Sequence, residues 1–303
     1  MNLRRALLAF STALLLSSAL FAQAPAGPPG LDEARKAFAA GDFATAVVAY
    51  EKVSAAQPQN PMLKMRIGQC YARLGKWTEA ATAFDQAASG GAPTPLFTVD
   101  HVAAYAQQGK TAEALALLEK AVNGGFGQAK ALETSTDLAG LRSNPAFQAL
   151  VSAADKNARP CHYDDNARAF DFWAGDWTVL SQGGQAGTSH VEVILEGCVV
   201  FENWTASGGG TGKSFNFWDK NRKRWQQTWI DSRGNLLELH GQFTEPGKLV
   251  YEADGPGPGG KPVKTRLSFT KLGPDQVRQL WEQSTDGGAT WNVVFDGDYQ
   301  RKK

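Results

Sequence analysis

The feature that most constrains this chain is a glycine that returns every 34 residues: "GDFATAVVAYEKVSAAQP", "GKWTEAATAFDQAASGG" and "GKTAEALALLEKAVNGG" align without gaps from Gly41, Gly75 and Gly109. Ala46, Ala80 and Ala114 keep the same period, as do Tyr50, Phe84 and Leu118, and Tyr105 repeats Tyr71. A fixed period of this length marks a small helical unit that cannot bury its apolar face alone and must stack on its neighbours. Upstream of Gly75, "LKMRIGQCYARLG" puts Ile67, Gly68 and Tyr71 on one helical face. Each period therefore predicts two helices joined at a tight glycine turn. After the third, "TDLAGLRSNPAFQALVSAADKN" predicts a capping helix with Leu138, Leu141, Phe147, Leu150 and Val151 on its apolar side.

The period, the small alanine and the bulky aromatic resemble the tetratricopeptide repeat over roughly residues 27 to 128. That resemblance implies a scaffold that docks a protein or peptide along a concave face. The groove positions it implies are Arg35 and Phe38, then Met62, Met65, Gln69 and Ala72, then Val99 and Ala103. Docking of the repeats against the rest of the chain is the competing reading.

From residue 161 the apolar period drops from 3.6 to 2, and eight of the nine tryptophans lie beyond this point. Ten strand-like runs, from "DWTVLSQ" to "WNVVFDGDYQRK", are separated mostly by Gly, Pro or Asp-Gly turns with no helical interruption. An antiparallel up-and-down barrel follows, since closure removes the edges that a flat sheet would expose. Alternation groups Ser214, Asn216 and Trp218 on one face, then Trp225, Gln227, Trp229 and Asp231, then Glu238, His240 and Gln242. Phe215 with Phe217, and Leu237 and Leu239 with Phe243, fall on the opposite face. Either the aromatic and polar face lines a lumen, or the apolar face fills an ordinary core. The first assignment makes Asn216, Trp218, Gln227, Trp229, Asp231, His240, Arg266 and Trp281 candidate ligand contacts for a small amphipathic molecule.

"FDFWAGDW" carries a G-x-W at Gly175 and Trp177 at the start of the first strand, and the last strand ends at Arg301. This is similar to lipocalins and related calycin barrels, where such a tryptophan closes the barrel and a late arginine stacks on it. The order "FDFWAGDW", "GCVVFENW", "SFNFWD", "WQQTWID", "RQLWEQSTDGGATW", "FDGDYQRKK" more closely resembles a bacterial family, often exported, for which no activity is established. The resemblance singles out Asn203, Trp204, Asn216, Asp219, Gln227, Trp229, Asp231, Gln279, Trp281 and Glu282. It does not divide them between site and structure.

The first residues, "MNLRRALLAFSTALLLSSALFAQAPAG", read as a secretory leader: two arginines, a short apolar run and small residues near Ala22. A periplasmic or secreted protein is expected, with no membrane span, and in such a compartment thiols pair. Cys161 and Cys198 are the expected disulfide; Cys70 lies on an apolar helical face. The formal charge is +1, near −1 without Arg4 and Arg5 of the leader, which argues against a nucleic-acid partner.

Catalytic signatures fail one by one. "GGGTGKS" has Ser207 where a phosphate loop needs its first glycine. The histidines His101, His162, His190 and His240 share no metal spacing, so neither metal nor cofactor is expected. An enzyme, a hydrolase or isomerase in the lumen, would rest on His240 as general base with Asp231, Glu238, Arg266 or Glu282 beside it. A structural module with a filled barrel is the remaining alternative. The sequence thus divides into residues 1–24 as leader, 25–156 as helical repeats and 157–303 as a calycin-like barrel, an α+β chain of two domains.

Overall fold

The computed structural model describes residues 28–256 and 260–303; the expected leader lies outside them. Two compact units form, one running to Lys110 and one from Thr111. In the first, α1 (Leu31–Ala39), α2 (Phe43–Ala56), α3 (Pro61–Arg73), α4 (Trp77–Ser89) and α5 (Thr98–Ala106) follow one another.

The repeating glycines end α1, α3 and α5 in the same way. Gly41, Gly75 and Gly109 have φ of 77°, 70° and 74°, a left-handed turn that a side chain would strain. The next amide closes each helix end: Asp42 N donates to Ala37 O, Lys76 N to Tyr71 O, and Lys110 N to Tyr105 O. At the starts, the Asp42 carboxylate accepts from Thr45 N at 3.0 Å, and Asn60 caps α3 ahead of Pro61. Ala46, Ala80 and Phe84 are fully buried, and Tyr50 nearly so, in two clusters that join successive helix pairs.

The second unit opens with α6 (Thr111–Asn123), α7 (Ala129–Thr134) and α8 (Pro145–Ala158). Here the partition differs from a division at residue 156. Helix α8 packs on α6 and α7, and Asn157 Nδ2 donates to Val122 O and Phe126 O. The helix then runs into the turn bearing Cys161, which is disulfide-bonded to Cys198. That bridge closes 37 residues, a constraint of about 3 to 4 kcal/mol in the chain-entropy treatment.

Ten antiparallel strands follow: β1 (Gly175–Ser181), β2 (Gly184–Ile194), β3 (Val199–Ala206), β4 (Thr211–Asp219), β5 (Arg224–Asp231), β6 (Leu236–Glu245), β7 (Lys248–Pro256), β8 (Pro262–Gly273), β9 (Gln276–Ser284) and β10 (Asn292–Arg301). Neighbours in sequence pair throughout, and β1 pairs with β10, with Trp177 opposite Arg301. The sheet is a closed barrel. Among the described residues no helix is long and apolar enough to cross a membrane.

Candidate functional site

One end of the barrel is filled. The segment before β1 makes a single turn at Asp171–Trp173 that carries Phe170 and Trp173 inward. Both are fully buried. Phe170 stacks on Trp173 with centroids 5.1 Å apart and meets Trp225 and Phe269 edge-on; Trp173 lies 4.5 Å from Phe269 and 5.9 Å from Tyr299. Trp177 Nε1 donates to Trp173 O at 2.8 Å, which locks the turn to the first strand. The structure brings Trp177 and Arg301 together: the guanidinium carbon lies 4.3 Å from the indole centroid, and Nη1 donates to Ala174 O at 3.0 Å. Gly175 has φ 141°, and a Cβ there would collide with Arg301 Nη1, so the glycine of G-x-W is a space requirement as much as a turn.

Above this floor the barrel holds a cavity of about 550 Å³. Its walls include Trp204, Trp229, Trp281, Leu237, Leu267 and Phe295, with Gln227, Gln279 and Tyr299 deeper; exposed Leu236 and Val294 stand at its mouth. A Cβ on Gly212 would collide with the Trp229 ring, so its absence lets that indole lie close against the wall.

Register settles which faces point inward, because paired residues share a face. Asn216 opposes Gln227, and Gln227 opposes Leu239; Trp229 opposes Leu237. The lumen therefore takes the aromatic and polar face of β4 and β5 but the apolar face of β6, and neither uniform assignment describes the barrel. His240 is exposed on the outer wall opposite Gln226 and Glu252, which removes it from the lumen and from the general-base constellation. Arg266 is likewise outside: its Nη2 donates to Glu282 Oε2 at 2.9 Å, and its guanidinium lies 4.1 Å from the Trp291 ring centroid. Trp218 points inward at the filled end, opposite Trp225. Asp231 reaches the mouth, but its carboxylate is occupied by Arg233 N and by Asn235.

The residue that sequence reasoning passed over is Glu202. Alternation in "VVFENW" puts Val200, Glu202 and Trp204 on one face of β3, and that face is the lumen. Glu202 is 3% exposed. Ser189 Oγ donates to Oε1 at 2.9 Å, and Ser214 Oγ donates to Oε2 at 3.1 Å. Tyr299 Oη sits 3.4 Å from Oε1 and also donates to Gln279 Oε1. Asn216 Nδ2 donates to Ser214 Oγ at 3.0 Å, so the serine's own proton is directed at the glutamate, and Tyr251 Oη in turn donates to Asn216 Oδ1. Burial pushes the Glu202 carboxyl up to about 7 against the lowering effect of these donors. A group held there exchanges its proton near neutrality.

Of the groove positions in the first unit, Phe38 and Gln69 meet through Arg66, whose guanidinium lies 5.2 Å from the Phe38 ring while Nη1 donates to Gln69 Oε1 at 2.9 Å. Arg35 is exposed, its guanidinium 3.5 Å from the Asp32 carboxylate, and Met62 is partly exposed. Met65 is not a groove residue: it is 2% exposed and packs with Ala72, Phe84 and Phe97 inside the repeat. Ala72 and Ala103 are buried too.

No curated protein matches the chain. The tetratricopeptide repeat family matches residues 31–94, which span α1 to α4, and the helical half that contains this tetratricopeptide-like region precedes a closed ten-stranded barrel.

Proposed function

We propose that this is an exported binding protein whose barrel holds a small amphipathic ligand and whose helical repeats dock a protein or peptide partner. The observation that carries the reading is the cavity of about 550 Å³, the size of a small-molecule site, with aromatic walls converging on one buried carboxyl group. A filled barrel would leave no such space. Export is supported by the composition of residues 1–24 and by the Cys161–Cys198 bridge, which an oxidising compartment sustains. Partner docking draws on the match to tetratricopeptide repeats and on the exposed Arg35 and Met62 beside the Phe38, Arg66 and Gln69 cluster.

Titration with N-phenyl-1-naphthylamine, an uncharged amphipathic fluorophore, tests the lumen. Saturable binding of one probe per chain, with quenching of tryptophan emission that is lost on Trp229→Ala, is the expected result. Non-saturating fluorescence unaffected by that change would count against it.

A second reading, catalysis in the lumen, would have to proceed without His240. Glu202 is the lumen group fitted to donate or accept a proton near pH 7.

A further inference from the structure

The ligand class follows from which charges the cavity contains and which it lacks. Among the described residues lining it, Glu202 and Asp231 are acidic, and no lysine, arginine or histidine is present. An anionic ligand would meet two acidic side chains and no basic one there. Trp204, Trp229 and Trp281 line the cavity together with Glu202, and an indole attracts a cation placed over its face. A carboxylate can accept about four hydrogen bonds. Ser189 and Ser214 supply one each, and the single proton of Tyr299 is shared with Gln279, so acceptor capacity on Glu202 remains open.

We propose that the lumen selects a protonated amine on an apolar or aromatic body, with Glu202 as its counter-ion and the indole faces as its walls. The assignment rests on the reading that the barrel binds a small ligand. The ammonium N–H groups would donate to the free lone pairs of Glu202, and the apolar body would cover Leu237, Leu267 and Phe295 toward the mouth.

Binding should then follow the ionisation of Glu202. The groups facing it are Ser189 from β2, Ser214 from β4, Gln279 from β9 and Tyr299 from β10; the one that titrates, Tyr299, is held far above its ordinary value by burial and stays neutral. Asp231, at the mouth, is held low by its Asn235 and backbone hydrogen bonds and stays ionised.

The experiment measures binding of three probes of matched size, 2-phenylethylamine, 2-phenylethanol and 3-phenylpropanoate, to the disulfide-intact full chain by calorimetry, at about pH 6 and about pH 8. With the carboxyl titrating near 7, the amine should bind about tenfold more weakly at the lower pH. At the higher pH it should bind about tenfold or more tightly than the alcohol. Glu202→Gln keeps the side-chain shape and should erase both differences while leaving alcohol binding and the fold in place. Alcohol or carboxylate binding as tight as the amine overturns the amine assignment and leaves the lumen reading standing, as does amine binding indifferent to Glu202→Gln. Silence from all three probes, with the fold intact, overturns both.

Discussion

The Arg301 guanidinium lies 4.3 Å from the centre of the Trp177 indole and reaches past Gly175 to the Ala174 carbonyl, tying the last strand to the first. Arg301→Ala removes a cation–π contact, the hydrogen bonds to Ala174 O and Pro274 O and the exposed ion pair with Asp275 at the closing seam of the barrel, and should lower stability by about 1 to 2 kcal/mol in urea unfolding. Gly175→Ala should match or exceed that loss, because the added methyl displaces the guanidinium. An unchanged urea midpoint in both variants would show that the seam is held elsewhere.

Phe170 and Trp173 form the deeper part of the floor, both fully buried and in contact with Trp225, Phe269 or Tyr299. Trp173→Ala should therefore be the most damaging single change in "FDFWAGDW", at about 3 to 5 kcal/mol. Chemical denaturation of the two variants side by side orders them, and a milder effect for Trp173→Ala than for Arg301→Ala contradicts this account of the floor.

The disulfide predicts a redox dependence confined to one bond. Cys161→Ser should lose about 3 to 4 kcal/mol, and reduction of the native chain should reproduce that loss. Cys70 is buried and its thiol is pushed up to about 11, so alkylation of the folded, oxidised protein at neutral pH should leave it unmodified. Urea unfolding with and without reductant reads the first point, and intact mass after treatment with iodoacetamide reads the second.

Glu202 fixes the sign of a pH effect on stability. Its carboxyl titrates near 7 in the folded chain and near 4.5 when unfolded, so between those values the folded state holds the extra proton. Stability from this group is greatest in acid and falls as pH rises through that window. Glu202→Gln removes the penalty. Relative to the native chain the variant should gain roughly 2 to 3 kcal/mol between about pH 5 and about pH 8. A stability difference independent of pH would mean that Glu202 is ionised throughout.

The architecture was legible because its signals are periodic. The 34-residue spacing of Gly41, Gly75 and Gly109 corresponds to three identical helix ends, and every one of the ten strand runs forms a strand. The lumen was legible only strand by strand. Alternation groups residues by face within a strand, but the choice of inner face is made by register with the neighbour, and "LLELHGQFT" offers an apolar face that wins the interior and sends His240 out. Arg266 went the same way, drawn to Glu282 and Trp291 on the outer wall. Glu202 was hidden for a different reason: a carboxylate between Val200 and Trp204 reads as a solvent-facing interruption until the serines of β2 and β4 are seen to donate to it.

The most direct test of the central claim, that the barrel is a receptor for a small molecule, is native mass spectrometry of the disulfide-intact protein purified from its source organism without detergent. A retained organic molecule, released when Glu202→Gln protein is prepared in the same way, is the predicted result. Protein that flies at its bare polypeptide mass, and whose mass and unfolding midpoint do not move when amphipathic amines are added, would contradict it.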